Sequence, residues 1–188
     1  MRWLSLDLET TGLDWTTCQI LEVGAVVEDT AHPEVPVTEL PTFHSYVVNE
    51  PVAGQPFALA MHQHILHRIA KQVPGYLYLK PWQVYPELQD FIEKHFPQGR
   101  HVCLGGKNVA NFDRNFLRQL PGWDDSKFQH RTVDPTVLYW RPGSGEELPS
   151  TKMCMDRAGI PGAVAHTAVE DARMVIELVR RAFLAEAA

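Results

Sequence analysis

Two carboxylates, Asp7 and Glu9, stand near the start of the chain with a single residue between them. Residues 2–8 alternate between polar and apolar, which is typical of a β-strand with one apolar face. Side chains two residues apart on a strand leave the same face about 6–7 Å apart, and carboxylates that close repel unless a cation or a shared proton relieves them. The pair therefore predicts either a cation site or a solvated strand end. The Thr10-Thr11-Gly12 turn favours a site, because α/β sheets bind ligands where strands end.

A second acidic motif, His166-Thr-Ala-Val-Glu-Asp171, stands at the predicted start of the last helix. Thr167 and Glu170 have the spacing of a capping box, which places His166 and Asp171 at two positions that pack against each other. Asp171 also borders the predicted buried stripe of this helix. A histidine beside a half-buried carboxylate indicates chemistry, although an acid at a helix N-terminus also has a purely structural explanation.

A third acid, Asp113, follows Asn111, which is predicted to cap a helix through Leu120. Taken alone, Asp113 is explained by the helix dipole. Four carboxylates meeting at one end of a sheet would need divalent cations, and oxygen ligands without cysteine favour Mg²⁺ or Mn²⁺ over zinc. Two such ions about 4 Å apart form the clamp used for in-line displacement at phosphorus.

Together the three motifs resemble those of the DEDD exonuclease superfamily in its histidine branch, which includes oligoribonucleases, ribonuclease T-like enzymes and polymerase proofreading subunits. The matching motifs are Asp7-Leu-Glu9-Thr-Thr-Gly, Asn108…Asn111-Phe-Asp113 and His166-x4-Asp171. The resemblance implies a ribonuclease H-like α/β fold, a mixed five-stranded sheet flanked by helices. It also implies 3′→5′ hydrolysis of single-stranded RNA or DNA ends, or of short oligonucleotides, to nucleoside 5′-monophosphates.

The resemblance further implies a role for each motif residue. Asp7, Glu9 and Asp171 would hold one metal ion, and Asp7 with Asp113, the latter through water, would hold a second. His166 would be the general base that deprotonates the attacking water, a role that suits an imidazole because its ordinary pKa lies near neutrality.

Five further positions resemble substrate contacts of the family. Thr10 and Leu13 correspond to the element that touches the terminal nucleotide, with Leu13 against its base. Met61 and His62 would face the last base or sugar, although Met61 also fits the buried stripe of a helix. Asn108 would reach a phosphate.

The elements that position these motifs are predicted from hydrophobic periodicity and from helix start and stop signals. Strands are expected at 2–8, 18–27, 42–48 and 101–104, with an extended segment at 131–139. Helices are expected at 56–69, 86–96, 111–120, 148–158 and 168–184. Strands followed by interspersed helices indicate the α/β class with a mixed sheet.

Composition narrows the class of protein. The chain has 188 residues and 45% hydrophobic content, which predicts a single domain over residues 1–188. A net charge of −6 argues against coating nucleic acid through a broad basic face, but not against holding a short piece. Three cysteines without a CxxC motif suggest neither a disulfide framework nor a zinc knuckle. The lack of a signal peptide and of a long apolar run predicts a cytoplasmic protein without membrane association.

Two alternatives stay open at this point. The chain could be a proofreading-type subunit of a polymerase, or a catalytically silent nucleic-acid-binding module on the same fold. The presence of all four acids and the histidine argues against the silent module. A homodimer and the choice between RNA and DNA are also left open.

Overall fold

The computed structural model describes residues 1–97, 99, 101–143 and 145–186. Its strands are β1 (Arg2–Thr10), β2 (Ile20–Asp29), β3 (Thr42–Val47), β4 (Tyr78–Leu79), β5 (Val102–Gly105) and β6 (Phe128–Val133). Its α-helices are α1 (Pro56–Met61), α2 (Gln63–Lys71), α3 (Pro81–His95), α4 (Asp113–Leu117), α5 (Thr151–Arg157) and α6 (Ala168–Glu186). The described strands form one mixed sheet in the order β4-β3-β2-β1-β5-β6, in which β2 is antiparallel to β1 and β3 and the remaining pairs are parallel.

Strand β1 lies in the middle of the sheet, between β2 and β5, and both of its faces are buried. Leu4, Leu6 and Leu8 pack into the main core, together with side chains of α3 and α4. On the opposite face, Trp3 and Ser5 are buried as well, under α6. After Arg2 every residue of the strand is buried except Asp7, which is half-buried, so the acids of β1 are largely shielded from water.

A glycine lets the start of α6 lie directly on the sheet. A Cβ built on Gly24 of β2 would lie 2.3 Å from the carbonyl carbon of Ala168, the first residue of α6. Any side chain at this position would push the helix away from the strand. The close approach places the first turn of α6 beside the end of β1.

The prediction of a mixed α/β sheet flanked by helices is confirmed, but the number of strands was wrong. The sheet has six strands, because the two-residue β4 pairs in parallel with β3. Two residues are too few to show an alternating pattern. The last strand ends at Val133 and does not continue to residue 139, because Pro135–Leu138 forms a 3₁₀ helix capped by Asp134.

The single helix predicted at 56–69 is two short helices that meet at His62. Ile65 and Ile69 are buried as expected, whereas Phe57 is 79% exposed and Met61 is 41% exposed. The interpretation of Met61 as a core residue was therefore wrong. A spacing of four residues is the same on one continuous helix and on two helices that change direction.

Two other helix starts also differ from the predictions. Helix α3 begins at Pro81, so Pro86 lies inside the helix and does not open it. Helix α4 is one short turn that begins at Asp113 after Phe112, and Asn111 does not cap it. No described helix is both long enough and apolar enough to cross a membrane.

Candidate active site

Three of the predicted acids converge where β1 ends under α6. Asp7 and Glu9 continue the α6-facing side of β1, and Asp171 projects from the first turn of α6. Each contributes a carboxylate oxygen, and these oxygens lie within 4.8 Å of one another. Three oxygen ligands at this spacing, with no sulfur or nitrogen in the group, suit a hard divalent cation such as Mg²⁺ or Mn²⁺.

The fourth acid, Asp113, lies just behind this cluster. Strand β5 ends at Gly105, opposite Ser5, so later residues of β1 have no strand partner on that side. The buried Asp113 carboxylate occupies this position and accepts a hydrogen bond from the Leu8 N–H at 3.0 Å. Asp113 is thereby fixed to β1 and lies close enough for its charge to act on Asp7.

The pKa values of all four carboxyl groups are raised above their ordinary values. Burial raises the pKa of Asp7 well above its ordinary value, and the charges of Asp113 and Asp171 raise it further. Burial and the neighbouring acids raise the pKa of Glu9 to about 8, and burial raises the pKa of Asp113 to about 7. Burial also raises the pKa of Asp171. Desolvated carboxylates that repel one another gain most from a cation, so this electrostatic environment agrees with the donor set.

His166 stands beside the cluster in an unusual backbone conformation. Its φ of 52° lies in the left-handed region, which costs a residue with a side chain about 1–2 kcal/mol. Burial raises the pKa of Asp171, and the charge of His166 together with the nearby backbone N–H groups of Ala165 and His166 partly opposes this effect. The turn therefore lies close to Asp171, while His166 itself is exposed to solvent.

The capping box predicted for this helix start is not formed. In the part of the chain that the structure describes, no hydrogen bond joins the Thr167 side chain to the Glu170 N–H, and the Glu170 carboxylate accepts from Arg173 at 2.6 Å. The first turn is closed instead by the Asp171 N–H, which donates to the Thr167 carbonyl at 3.0 Å.

His62 lies deeper than its predicted role requires. It is 2% exposed at the junction of α1 and α2, and its Nε2 lies 3.3 Å from an oxygen of Glu9. Burial lowers the pKa of His62, and the nearby His64 and His166 lower it further. The structure therefore places His62 behind Glu9, and a direct contact with a base or sugar stays a prediction.

Of the other predicted substrate contacts, one is buried and three are exposed to solvent. Thr10 is buried, and its hydroxyl donates to the Gly12 carbonyl at 2.7 Å, so it shapes the turn after β1. Leu13 on that turn is 76% exposed, and Met61 is also open to solvent. Asn108 is exposed at the loop between β5 and α4. Leu13 and Met61 thus provide apolar surface that a nucleotide could contact.

One acid in this region, Glu22, was not predicted from the sequence. It lies on β2 directly opposite Glu9, is 1% exposed, and its charge helps to raise the pKa of Glu9, Asp7 and Asp171. The available signal was a single acid inside the otherwise apolar run of residues 20–27. A charged residue at such a place is rarely fully buried unless it has partners.

Comparisons with known proteins agree with this site. The profile of the RNase_T exonuclease family matches residues 4–179. An oligoribonuclease of Francisella tularensis subsp. novicida is 25% identical over 157 residues, which cover 80% of this chain and 84% of that protein.

Solved structures show the same fold. Escherichia coli exonuclease I in complex with a dT13 oligonucleotide is 16% identical, with a TM-score of 0.68 over 95% of this chain. Exonuclease I of Methylocaldum szegediense is 15% identical, with a TM-score of 0.65 over 96% of this chain. This chain spans about 40% of the length of either exonuclease I. These neighbours confirm the ribonuclease H-like fold that the motifs implied.

The family profile covers most of the chain, and its span includes all four acids and the histidine. The acidic cluster in the structure fits the metal dependence that is typical of this family. The chain therefore belongs to the RNase_T family of exonucleases in the DEDD superfamily, and it is a hydrolytic nuclease.

Proposed function

We propose that this protein is a 3′→5′ exonuclease that releases nucleoside 5′-monophosphates from single-stranded nucleic acid or short oligonucleotides with the help of two Mg²⁺ or Mn²⁺ ions. The observation that carries the proposal is the convergence of Asp7, Glu9 and Asp171 within 4.8 Å. An exposed histidine stands beside these acids and a fourth acid lies behind them, a combination suited to metal-assisted phosphodiester hydrolysis.

The acids divide between two cations. Asp7, Glu9 and Asp171 would hold one ion, and Asp7 together with Asp113 would hold the second. When bound, the ions supply charge neutralisation at the scissile phosphate and a lowered pKa for the attacking water. The raised pKa values of Glu9 and Asp113 support a cation near both carboxyl groups, because desolvated carboxylates gain from a positive charge.

His166 moves the proton. Its exposed imidazole accepts a proton from the water molecule whose oxygen attacks phosphorus, and the bond from phosphorus to the 3′ oxygen of the preceding nucleotide breaks. That oxygen takes a proton from solvent and becomes the new 3′-hydroxyl, and the product leaves as a 5′-monophosphate. His166 then returns its proton to solvent, which its exposure permits.

The protein contacts only the last nucleotides at the 3′ end of the substrate. Leu13 and Met61 offer apolar contact to any base, so we expect weak base preference. With a net charge of −6, the chain lacks the excess of cations that tracks a long strand. Asn108 would contact a phosphate. The cytoplasmic location and a homodimer stay predictions.

The test is a product time course on 5′-labelled RNA and DNA oligomers of identical sequence, because the relatives include both an oligoribonuclease and exonuclease I bound to a DNA oligonucleotide. Each oligomer carries a free 3′-hydroxyl or a 3′-phosphate, and a circular strand is run beside them. We expect a ladder that shortens from the free 3′ end in Mg²⁺ or Mn²⁺. Asp7→Asn protein purified in parallel controls for contaminating nuclease. Equal cleavage of blocked and free ends, or internal cuts in the circle, would contradict the proposal.

The silent binding module is set aside, because the chain belongs to a family of exonucleases and has all four acids and the histidine. A primer–template added to the same assay tests the remaining alternative. A proofreading subunit would remove a mismatched 3′ end from a primer–template much faster than a matched one.

A further inference from the structure

Glu22 is a buried carboxylate whose two oxygens are both engaged. From β3, the His44 Nε2 lies 2.6 Å from Oε1 of Glu22. From α6, the N–H of Ala168 donates to Oε2 at 3.3 Å. His44 is itself packed edge-on against Tyr46 and Tyr76, with ring centroids 5.0 and 5.7 Å away. The carboxylate therefore bridges an anchored histidine and the first turn of the helix that carries Asp171.

The hydrogen bond between Glu22 and Ala168 lies at the start of α6, where the position of the backbone determines the positions of His166 and Asp171. Ala168 is the first residue of α6, two residues after His166 and three before Asp171. His166 has a left-handed backbone, which persists only when its surroundings hold it. At Ala168, the free N–H groups of the first helical turn need an acceptor, and Glu22 supplies one. Gly24 on the same strand allows the helix to come this close.

We propose that Glu22 is a positioning residue for the nuclease reaction, which fixes the start of α6 so that His166 and Asp171 stand correctly over the end of β1. The inference rests on the proposed role of His166 as the base. Glu22 is not itself part of the three-acid cluster, which consists of Asp7, Glu9 and Asp171. Its charge also acts on the three acids, but the positioning proposed here depends on the geometry of its two hydrogen bonds.

The chain offers a matched control in Glu28. Glu28 is also on β2, faces α6, and is 2% exposed. It holds the other part of α6 through Arg180, whose guanidinium donates to both carboxylate oxygens at 3.0 and 2.7 Å. Both glutamates therefore fasten the same helix to the same strand, but only Glu22 does so next to the catalytic groups.

The experiment compares two conservative changes at Glu22 with one at Glu28. Glu22→Gln loses the charge but keeps the length of the side chain. It can also keep both contacts, because the amide oxygen can accept the Ala168 N–H and the amide nitrogen can donate to His44. Glu22→Asp keeps the charge but withdraws the carboxylate by one methylene. Steady-state kinetics on a 3′-hydroxyl oligomer in saturating Mn²⁺, Mn²⁺ binding by calorimetry, and thermal unfolding are measured for both variants and for Glu28→Asp.

We expect Glu22→Asp to lower kcat about 10–100-fold with little change in KM, the usual loss when the support of a catalytic group is removed. Glu22→Gln should stay within about three-fold of the wild-type kcat, because its contacts are retained. Glu28→Asp should lower the melting temperature at least as much as Glu22→Asp and leave kcat unchanged.

Three outcomes would overturn the inference. One is a wild-type kcat for Glu22→Asp. Another is a loss in Glu22→Gln with activity kept in Glu22→Asp, since the charge and not the geometry would then matter. The third is an equal loss of kcat in Glu28→Asp, which would show general loosening of α6. Failure of the proposed function is distinguishable, because His166→Ala would then retain wild-type kcat or the 3′ ladder would be absent.

Discussion

The two ends of the β1–β2 hairpin treat their acids in opposite ways. At the end far from the active site, Arg2 pairs with Asp29 at 2.7 Å, and Arg180 of α6 pairs with the buried Glu28 at 2.7 Å. The hydrogen bond from Arg2 lowers the pKa of Asp29. Each acid at this end is matched by a cation from the chain itself.

At the active-site end the counter-charges are missing. Among the described residues, no arginine or lysine forms an ion pair with Asp7, Glu9 or Asp171, and the nearest partner of Glu9 is the buried His62. The same helix that supplies Arg180 to Glu28 supplies another acid, Asp171, to the three-acid cluster. The difference shows that the protein leaves this end electrostatically incomplete, at a cost in stability, so that a metal ion can complete it.

Removal of metal should have the largest effect. We expect chelator to abolish hydrolysis and added Mg²⁺ or Mn²⁺ to restore it, because no described lysine or arginine forms an ion pair with the three-acid cluster. Asp7→Asn and Asp171→Asn should each abolish activity without unfolding the protein. Asp29→Asn, at the paired end, should keep activity in the same oligonucleotide assay. Full hydrolysis in excess chelator would refute the requirement for metal.

Loss of the base should have the next largest effect. His166→Ala is expected to lower the rate about 10²–10⁴-fold, the usual contribution of a positioned general base. Mn²⁺ affinity measured by calorimetry should stay close to that of the wild type, since His166 is not among the three converging ligands. A higher pH should recover part of the rate by supplying hydroxide. Wild-type activity of this variant at neutral pH would leave His166 with a structural role alone.

Neutralising one acid should change stability in opposite directions at the two ends. In chelator at pH 8, Asp7→Asn is expected to raise the free energy of unfolding by about 1–3 kcal/mol, because it removes a repelling charge. Glu28→Gln is expected to lower it by about 3 kcal/mol, because Arg180 loses its ionised partner. Urea unfolding of both variants and of the wild type measures the sign of each change in the free energy of unfolding. Two changes of the same sign would contradict the comparison between the ends.

The pH dependence of stability follows from the same acids. Folding raises the pKa of Glu9 to about 8 and that of Asp113 to about 7, above their values in the unfolded chain. The stability that these groups contribute is present below pH of about 4 and is lost as the pH rises through the folded-state values. Metal-free protein should therefore lose stability between about pH 5 and pH 8. Saturating Mn²⁺, or the Asp7→Asn substitution, should flatten this slope in urea titrations at several pH values.

The part of the site that sequence could predict is the part that short-range geometry determines. Strand alternation places Asp7 and Glu9 on one face, and the start of a helix places Asp171 near His166. That these two segments meet was known only from the resemblance of the motifs, because the meeting depends on Gly24 and on the packing of α6 over β1.

What sequence could not predict depends on partners that are distant along the chain. Glu22 acquires its role from His44 on β3 and Ala168 on α6, and neither partner leaves a local pattern around residue 22. His62 likewise occupies the break between two helices, where periodicity continues although the direction of the chain changes. Tertiary contacts decide both cases, and periodicity carries no information about them.

The smallest expected effect concerns substrate contact at the rim of the active site, by which we mean the turn after β1 that carries Leu13. Leu13 is 76% exposed beside the acids and contributes no core packing, so its truncation should not alter the catalytic groups. Loss of partial burial against a terminal base is worth about 1 kcal/mol, so Leu13→Ala should raise KM about five-fold with kcat unchanged. Phe183 is a control with similar exposure, about 18 Å farther along α6 than Asp171, and Phe183→Ala should leave both parameters unchanged. Oligomers that differ only in the 3′-terminal base should show the same ratio, because apolar contact does not read hydrogen-bonding edges. A fall in kcat for Leu13→Ala would mean that the turn after β1 also positions the acids, and the rim and the metal cluster would then act as one unit.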